Sequence, residues 1–268
     1  MNFYTKWRNC VERNHSLVCV GLDTDIKLIS KSLLSEPNPI FAFNRELIEA
    51  TKDYASAFKL NAAFYEAEGL KGIEDLKQTR EYIPAHIPVI LDAKRGDIGN
   101  TSKLYARMAF EEFGFDALTV SPYLGSDSVA PFLEYGDKYI FILCLTSNPG
   151  AIDLQMYGEP PLYLRVAQFV NKWNKKGNCG LVVGATKPEQ LAEIRKIVPK
   201  PIFLIPGIGA QGGKIEEVIK YGGDNLIINA SRSIIYASSG IDFAQKAQSA
   251  TIALRDEINR ARTVGKTS

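Results

Sequence analysis

The chain has 268 residues, 46% of them hydrophobic and 23% charged, with a formal net charge of +2. This is ordinary globular composition, and a charge so near zero gives no reason to expect a nucleic-acid partner. The longest apolar runs are strand-sized, which excludes a membrane-spanning helix, and residues 1–8 lack the apolar core of a secretory signal, so a cytoplasmic protein is expected.

Residues 1–15 read as an N-terminal helical extension. The first apolar run, 17–22, ends in Gly21-Leu-Asp23, and a long loop, 23–39, follows it. A helical stretch at 41–52 leads to the second run, 55–60, which ends Lys59-Leu-Asn61. After a helical stretch at 67–82, the third run, 89–91, ends Asp92-Ala-Lys94. Helical residues 102–112 precede the fourth run, 117–120. The fifth, 139–145, ends Thr146-Ser-Asn148 and opens a second long loop, 148–161. Helical 162–175, strand 180–184, helical 189–197 and strand 202–205 come next. The seventh strand ends Pro206-Gly-Ile-Gly-Ala-Gln-Gly-Gly213, and the eighth, 225–229, ends Asn229-Ala-Ser-Arg232. A closing helix spans 241–262. Strand then helix, eight times over, predicts a parallel sheet with helices outside, and eight units in this length fit a single-domain (β/α)8 TIM barrel over 1–268. A doubly wound open sheet is the alternative, because periodicity alone does not separate closed from open.

In a barrel, chemistry lies at the C-terminal ends of the strands. Polar residues stand at nearly all of these ends. The densest cluster is Asp92-Ala-Lys-Arg-Gly-Asp-Ile-Gly-Asn-Thr-Ser102. Asp92 and Lys94 are two apart, so on a regular strand they share a side, as do Lys59 and Asn61. Such a charged group is a weak stabiliser once desolvation is counted, which favours a functional reading over a structural salt-bridge network. After strands 7 and 8, glycines that let backbone N–H groups approach an anion precede Arg232, whose guanidinium can grip a phosphate in two-pronged fashion.

Other readings are excluded. Gly207-Ile-Gly-Ala-Gln-Gly212 satisfies a dinucleotide-binding pattern but lies near the chain's end with one strand to follow, not in a first β-α unit. Cys10, Cys19, Cys144 and Cys179 are far apart and read as buried thiols rather than disulfides or metal ligands. His15 and His86 lie in no motif. Catalysis therefore falls to carboxylates and lysines.

Asp92, Lys94 and Asp97 form a D-x-K-x-x-D pattern that resembles the signature of the orotidine 5′-phosphate decarboxylase family, and the extension Ile98-Gly-Asn-Thr101 resembles its longer-chain branch. Related sugar-phosphate aldolases and decarboxylases carry the core pattern too. The resemblance runs from Asp23 to Arg232. It implies decarboxylation of orotidine 5′-phosphate (OMP) to UMP in pyrimidine biosynthesis, with no cofactor and no metal. It maps a Lys-Asp-Lys-Asp row onto Lys59, Asp92, Lys94 and Asp97. The last of these would enter the neighbouring site of a homodimer, together with Thr101. Gln211 and Arg232 would hold the phosphate, with Pro206 and Ser231 beside them in the substrate-binding set. Thr146 and Ser147 are candidates for the pyrimidine edge, and Asp23, Lys59 and Asn61 for the ribose hydroxyls. Some family members are fused to orotate phosphoribosyltransferase; the chain ends soon after its last barrel helix, so no such fusion is expected. Two rivals stay open: a Mg²⁺-dependent sugar-phosphate enzyme of the same superfamily, and a non-catalytic phosphate-binding barrel.

Overall fold

The computed structural model describes residues 1–208 and 213–264. In chain order it contains α1 (Phe3–Asn14), β1 (Val18–Gly21), α2 (Pro39–Thr51), β2 (Ala57–Asn61), α3 (Ala62–Glu66), α4 (Gly69–Tyr82) and β3 (Val89–Arg95). There follow α5 (Gly99–Arg107), β4 (Ala117–Val120), α6 (Ser126–Leu133), β5 (Tyr139–Leu145), α7 (Ala151–Leu154), α8 (Leu162–Trp173) and β6 (Cys179–Val183). The chain continues with α9 (Pro188–Ile197), β7 (Phe203–Pro206), α10 (Ile215–Gly222), β8 (Leu226–Ala230), α11 (Arg232–Ile235) and α12 (Phe243–Val264).

The strands pair in parallel in sequence order and close on themselves. Closure is made by β1 against β8, with Val18 opposite Ile228 and Val20 opposite Ala230. This pairing removes the open-sheet alternative. β1, β4, β6 and β8 are buried along their whole length, as strands covered on both faces must be, and their residues are accordingly apolar except for Thr119 in β4 and Asn229 in β8. β2 and β3 lose burial only at their C-terminal ends, at Asn61 and from Asp92 onward.

The far end of the barrel is closed by α1. Asn2 caps that helix by accepting from the Thr5 N–H at 2.9 Å. Phe3 stacks on Tyr139 and meets Phe141 edge-on, with ring centroids 5.0 and 5.8 Å apart. Lys6 pairs with Asp116 at 2.6 Å. Asp116 precedes β4 and Tyr139 opens β5, so α1 covers the N-terminal ends of the strands and leaves the other end free for a site. Trp7 is fully buried there; truncating such an aromatic typically costs about 3–5 kcal/mol. The helical ring closes where α12 packs between α2 and α10, with the Gln248 amide donating to the Ala50 carbonyl at 2.9 Å.

Several expected boundaries move. The stretch read as one helix at 67–82 begins instead at Gly69, whose positive φ of 65° ends the approach from α3. The next helix starts three residues before 102, and its end widens into a π-helical turn at Met108–Glu112. The closing helix begins at Phe243 rather than 241. The loop after strand 5 holds the short α7, and the loop after strand 1 a 3₁₀ turn at Lys31–Leu33. α6 and α10 were not legible, because eight residues give only two turns of periodicity.

Candidate active site

The charged residues meet because β2 and β3 are neighbours in register. Lys59 lies opposite Ile90 and Asn61 opposite Asp92, so all four point to one side. The Lys59 ammonium, 3% exposed, sits 3.0 Å from Asp23 Oδ1 and 3.3 Å from Asp92 Oδ2. Lys94 Nζ donates to Asp92 Oδ1 at 2.7 Å, and the Thr119 hydroxyl donates to the same oxygen at 2.9 Å. The result is a row, Asp23–Lys59–Asp92–Lys94, of alternating sign. Burial works against charge on Asp92, but Lys59, then Lys94 and the hydrogen bonds from Lys94 and Thr119, outweigh it and hold its carboxyl down at about 2. Burial likewise opposes the Lys59 ammonium, yet Asp23 and Asp92 push its pKa above the ordinary lysine value. Both stay ionised at neutral pH.

Asp92 and Lys94 do not meet by simple strand alternation, as the spacing implied. β3 and β4 run in register to Leu91 opposite Leu118, and then β3 bulges before Arg95 pairs with Val120. Lys94 lies in that bulge with φ +48°. A left-handed lysine is unfavourable by about 1–2 kcal/mol, so the turn that brings its side chain back to Asp92 must be held by other contacts.

Asp23 is fixed by the chain around it. The Tyr65 hydroxyl donates to the Leu22 carbonyl at 2.9 Å. The Tyr236 hydroxyl accepts from the Asp25 N–H at 2.7 Å and lies 3.2 Å from the Asp23 carbonyl. β1 can pass this close to the end of β8 only because residue 21 is glycine: a Cβ there would stand 1.9 Å from Ser231 Oγ.

A cleft of about 190 Å³ joins the row to the ends of β7 and β8, and Asp23, Lys59, Asp92, Pro206, Ser231 and Arg232 line it. Lys59 and Asp92 of the charged set thus share one cavity with Arg232 of the phosphate-binding set, while Lys94 reaches it through Asp92. Arg232 is exposed at the start of α11. Gln211 lies outside the described residues. Asn61 caps α3, its side-chain oxygen accepting from the Ala63 N–H at 3.2 Å. Thr146 is clamped by Gln155, whose side-chain oxygen takes the Thr146 N–H at 2.7 Å while its amide donates to the Thr146 hydroxyl at 2.8 Å. Ser147 packs against Gly184, where a Cβ would come within 2.9 Å of the Ser147 nitrogen. Asp97 does not join the row within this chain: its carboxylate accepts from the Ile98 N–H at 2.8 Å. Thr101 is exposed on the first turn of α5.

Four residues of this region escaped the sequence reading. Thr119 and Asn229 carry a signal, a lone polar side chain near the C-terminal end of an apolar strand. Asn229 is buried in the cleft wall, and its Oδ1 has no hydrogen-bond partner among the described residues. Tyr65 and Tyr236 carried none, since each lies between the expected elements, where a tyrosine reads as ordinary packing. Among the described residues, no three or more His, Cys, Asp or Glu side chains are grouped so as to hold a metal ion. No helix among them is long and apolar enough to cross a membrane.

Known proteins resemble the chain over nearly its whole length. The chain is 51% identical over 272 residues to an orotidine 5′-phosphate decarboxylase of Dehalococcoides mccartyi, covering 98% of this chain and 99% of that one. It is 50% identical over 254 residues to one from Christiangramia forsetii, covering 92% and 93%. The OMP decarboxylase structure of Leishmania donovani superposes with a TM-score of 0.86 at 40% identity, covering 98% of this chain and all of that one. The profile of the orotidine 5′-phosphate decarboxylase / HUMPS family matches residues 16–251, and the chain belongs to that family.

Proposed function

We infer that the chain decarboxylates OMP to UMP and carbon dioxide, as a carboxy-lyase of pyrimidine biosynthesis. The relatives it matches over nearly its whole length carry that activity in their names. The observation that carries the reading is the Asp23–Lys59–Asp92–Lys94 row, whose first three members line the same cleft as Arg232 and whose fourth is paired with Asp92. With the phosphate on Arg232 and the ribose near Asp23, Lys59 and Asn61, the pyrimidine lies toward Asp92 and Lys94. The bond from C6 to the carboxylate breaks, its electron pair stays on C6, and carbon dioxide leaves. The Lys94 ammonium faces the developing negative charge and gives C6 its proton. Asp92, held ionised by its neighbours, orients the Lys94 ammonium through their hydrogen bond and repels the substrate carboxylate until it departs. Thr146 and Ser147 would meet the pyrimidine edge.

The Mg²⁺-dependent alternative needs a cation between carboxylates at the strand ends. Here the Lys59 ammonium occupies the space between Asp23 and Asp92, which supports chemistry without metal. The assay is release of carbon dioxide from OMP before and after exhaustive EDTA treatment. Full retained activity is expected; a loss restored by Mg²⁺ would move the protein to the metal-dependent branch, and no turnover of OMP at all would leave a phosphate-binding barrel.

The homodimer belongs to the same reading. Ile98, Tyr123 and Leu124 expose apolar surface on the loops after the adjacent strands β3 and β4, beside Asp97 and Thr101. Burying these side chains against a second copy would bring Asp97 to the neighbouring cleft. The four cysteines are free and buried, which supports a reducing, cytoplasmic location.

A further inference from the structure

Thr119 does more than fill a strand position. It is buried in β4, and its hydroxyl is used twice. It accepts the Lys94 N–H at 2.9 Å and donates to Asp92 Oδ1 at 2.9 Å. Regular pairing of β3 with β4 stops at Leu91 opposite Leu118 and resumes only at Arg95 opposite Val120. Inside that gap the Lys94 N–H has lost its ladder partner, and a side-chain oxygen from β4 replaces it. A buried N–H left without a partner would strongly favour another backbone conformation. The same hydroxyl also fixes the Asp92 oxygen to which Lys94 Nζ donates at 2.7 Å.

Taking the proposed decarboxylase reading as its basis, we propose that Thr119 is the positioning residue of this site: one hydroxyl locks both the left-handed turn at Lys94 and the orientation of Asp92, and so sets the direction of the proton donor. Thr119 does not touch the reacting atoms. It acts through the two charges that do, and it lies away from the phosphate end of the cleft. Its loss should therefore reach the chemical step and spare binding. A structural role would behave differently. Valine has nearly the same shape and an equal preference for strands, so at a position that only fills space it would be neutral.

The test compares Thr119→Val with Thr119→Ser. For Thr119→Val, kcat should fall about 10- to 100-fold, the range for losing a hydrogen bond to a charged group in an oriented site. KM for OMP and calorimetric affinity for UMP should stay near wild type. Thr119→Ser, which keeps the hydroxyl, should recover most of the loss. Crystal structures of the ligand-free variants supply a second arm that does not depend on turnover. In Thr119→Val, Lys94 should leave the left-handed region and its contact with Asp92 should open; in Thr119→Ser both should persist. Wild-type kcat in Thr119→Val, equal damage in both variants, or an unmoved Lys94–Asp92 pair would each overturn the proposal. A wild-type protein that does not turn over OMP would overturn the activity instead, and the structural arm would still decide the role of Thr119.

Discussion

Lys59→Met removes the cation at the centre of the row and keeps much of its length. At the observed 3.0 and 3.3 Å, and with an effective dielectric near 20, each contact with a carboxylate is worth about 5 kcal/mol of gross attraction. Much of that offsets the desolvation of a nearly fully buried ammonium. Removing one partner still leaves Asp23 and Asp92 buried together with part of their charge uncompensated, for which about 3–5 kcal/mol of destabilisation is usual. Urea denaturation near neutral pH should show a loss of that size, with decarboxylation abolished. The loss also carries a pH signature. In the wild type, the carboxyl of Asp92 is held at about 2, below its unfolded value. A depressed carboxylate contributes stability that is present above the unfolded pKa of about 4 and is lost as pH falls through the folded one. Lys59 is the largest source of that depression, so the variant lacks most of the contribution at neutral pH. The gap between the proteins should then narrow by about 1 kcal/mol between pH 7 and pH 3, as the wild type loses what the variant never had. A deficit under about 1 kcal/mol at neutral pH, or one that widens on acidification, would refute the account of Lys59 as the hub of the row.

Lys94→Ala should abolish turnover in a folded protein that still binds UMP, measured by steady-state assay and calorimetry; substantial residual decarboxylation would remove Lys94 from the proton-donor role. Arg232→Ala should lower kcat/KM for OMP by about a hundredfold or more, as loss of a charge-assisted contact predicts. Orotidine without its phosphate should be nearly indifferent to that change, and equal loss for both substrates would place the phosphate elsewhere. Asp97→Ala and Lys94→Ala proteins should each be nearly dead, yet recover about a quarter of wild-type activity when mixed and reassociated, because statistical pairing gives half heterodimers with one intact site of two. A dead mixture in which heterodimers demonstrably form would confine Asp97 to its own chain.

The barrel was legible because its signal is repeated. Each apolar run is short, buried and followed by polar residues, and eight such units in order leave few architectures. Closure was not legible, since it depends on β1 meeting β8 across most of the sequence and no local pattern records that pairing. Boundaries failed at helix starts that a positive-φ glycine sets, at Gly69 and Gly99. In the site, Lys59, Asp92 and Lys94 stood out because charges at the ends of apolar strands are conspicuous. Their supports did not: Tyr65 and Tyr236 fall between the expected elements, and the lone polar Thr119 in an apolar strand is a weaker signal than a charge.

The bulge in β3 shows why the chemical motif was easier to read than its geometry. Two-residue spacing put Asp92 and Lys94 on one side, and they do meet, but through a left-handed lysine that no spacing rule anticipates. The bulge also bears on Asp97. The signs alternate from Asp23 through Lys94, and there, among the described residues, the ion pairs of the row end on a half-exposed ammonium with one carboxylate partner. Asp97, three residues on, gives its carboxylate to the N–H of Ile98 at the entrance to α5. A further anion beside Lys94 would steady its charge while the substrate carboxylate is present and again after carbon dioxide has left. In the proposed dimer that anion is Asp97 of the partner subunit. Assembly and catalysis would then be one property, with dissociation to monomers removing a charge from every site at once.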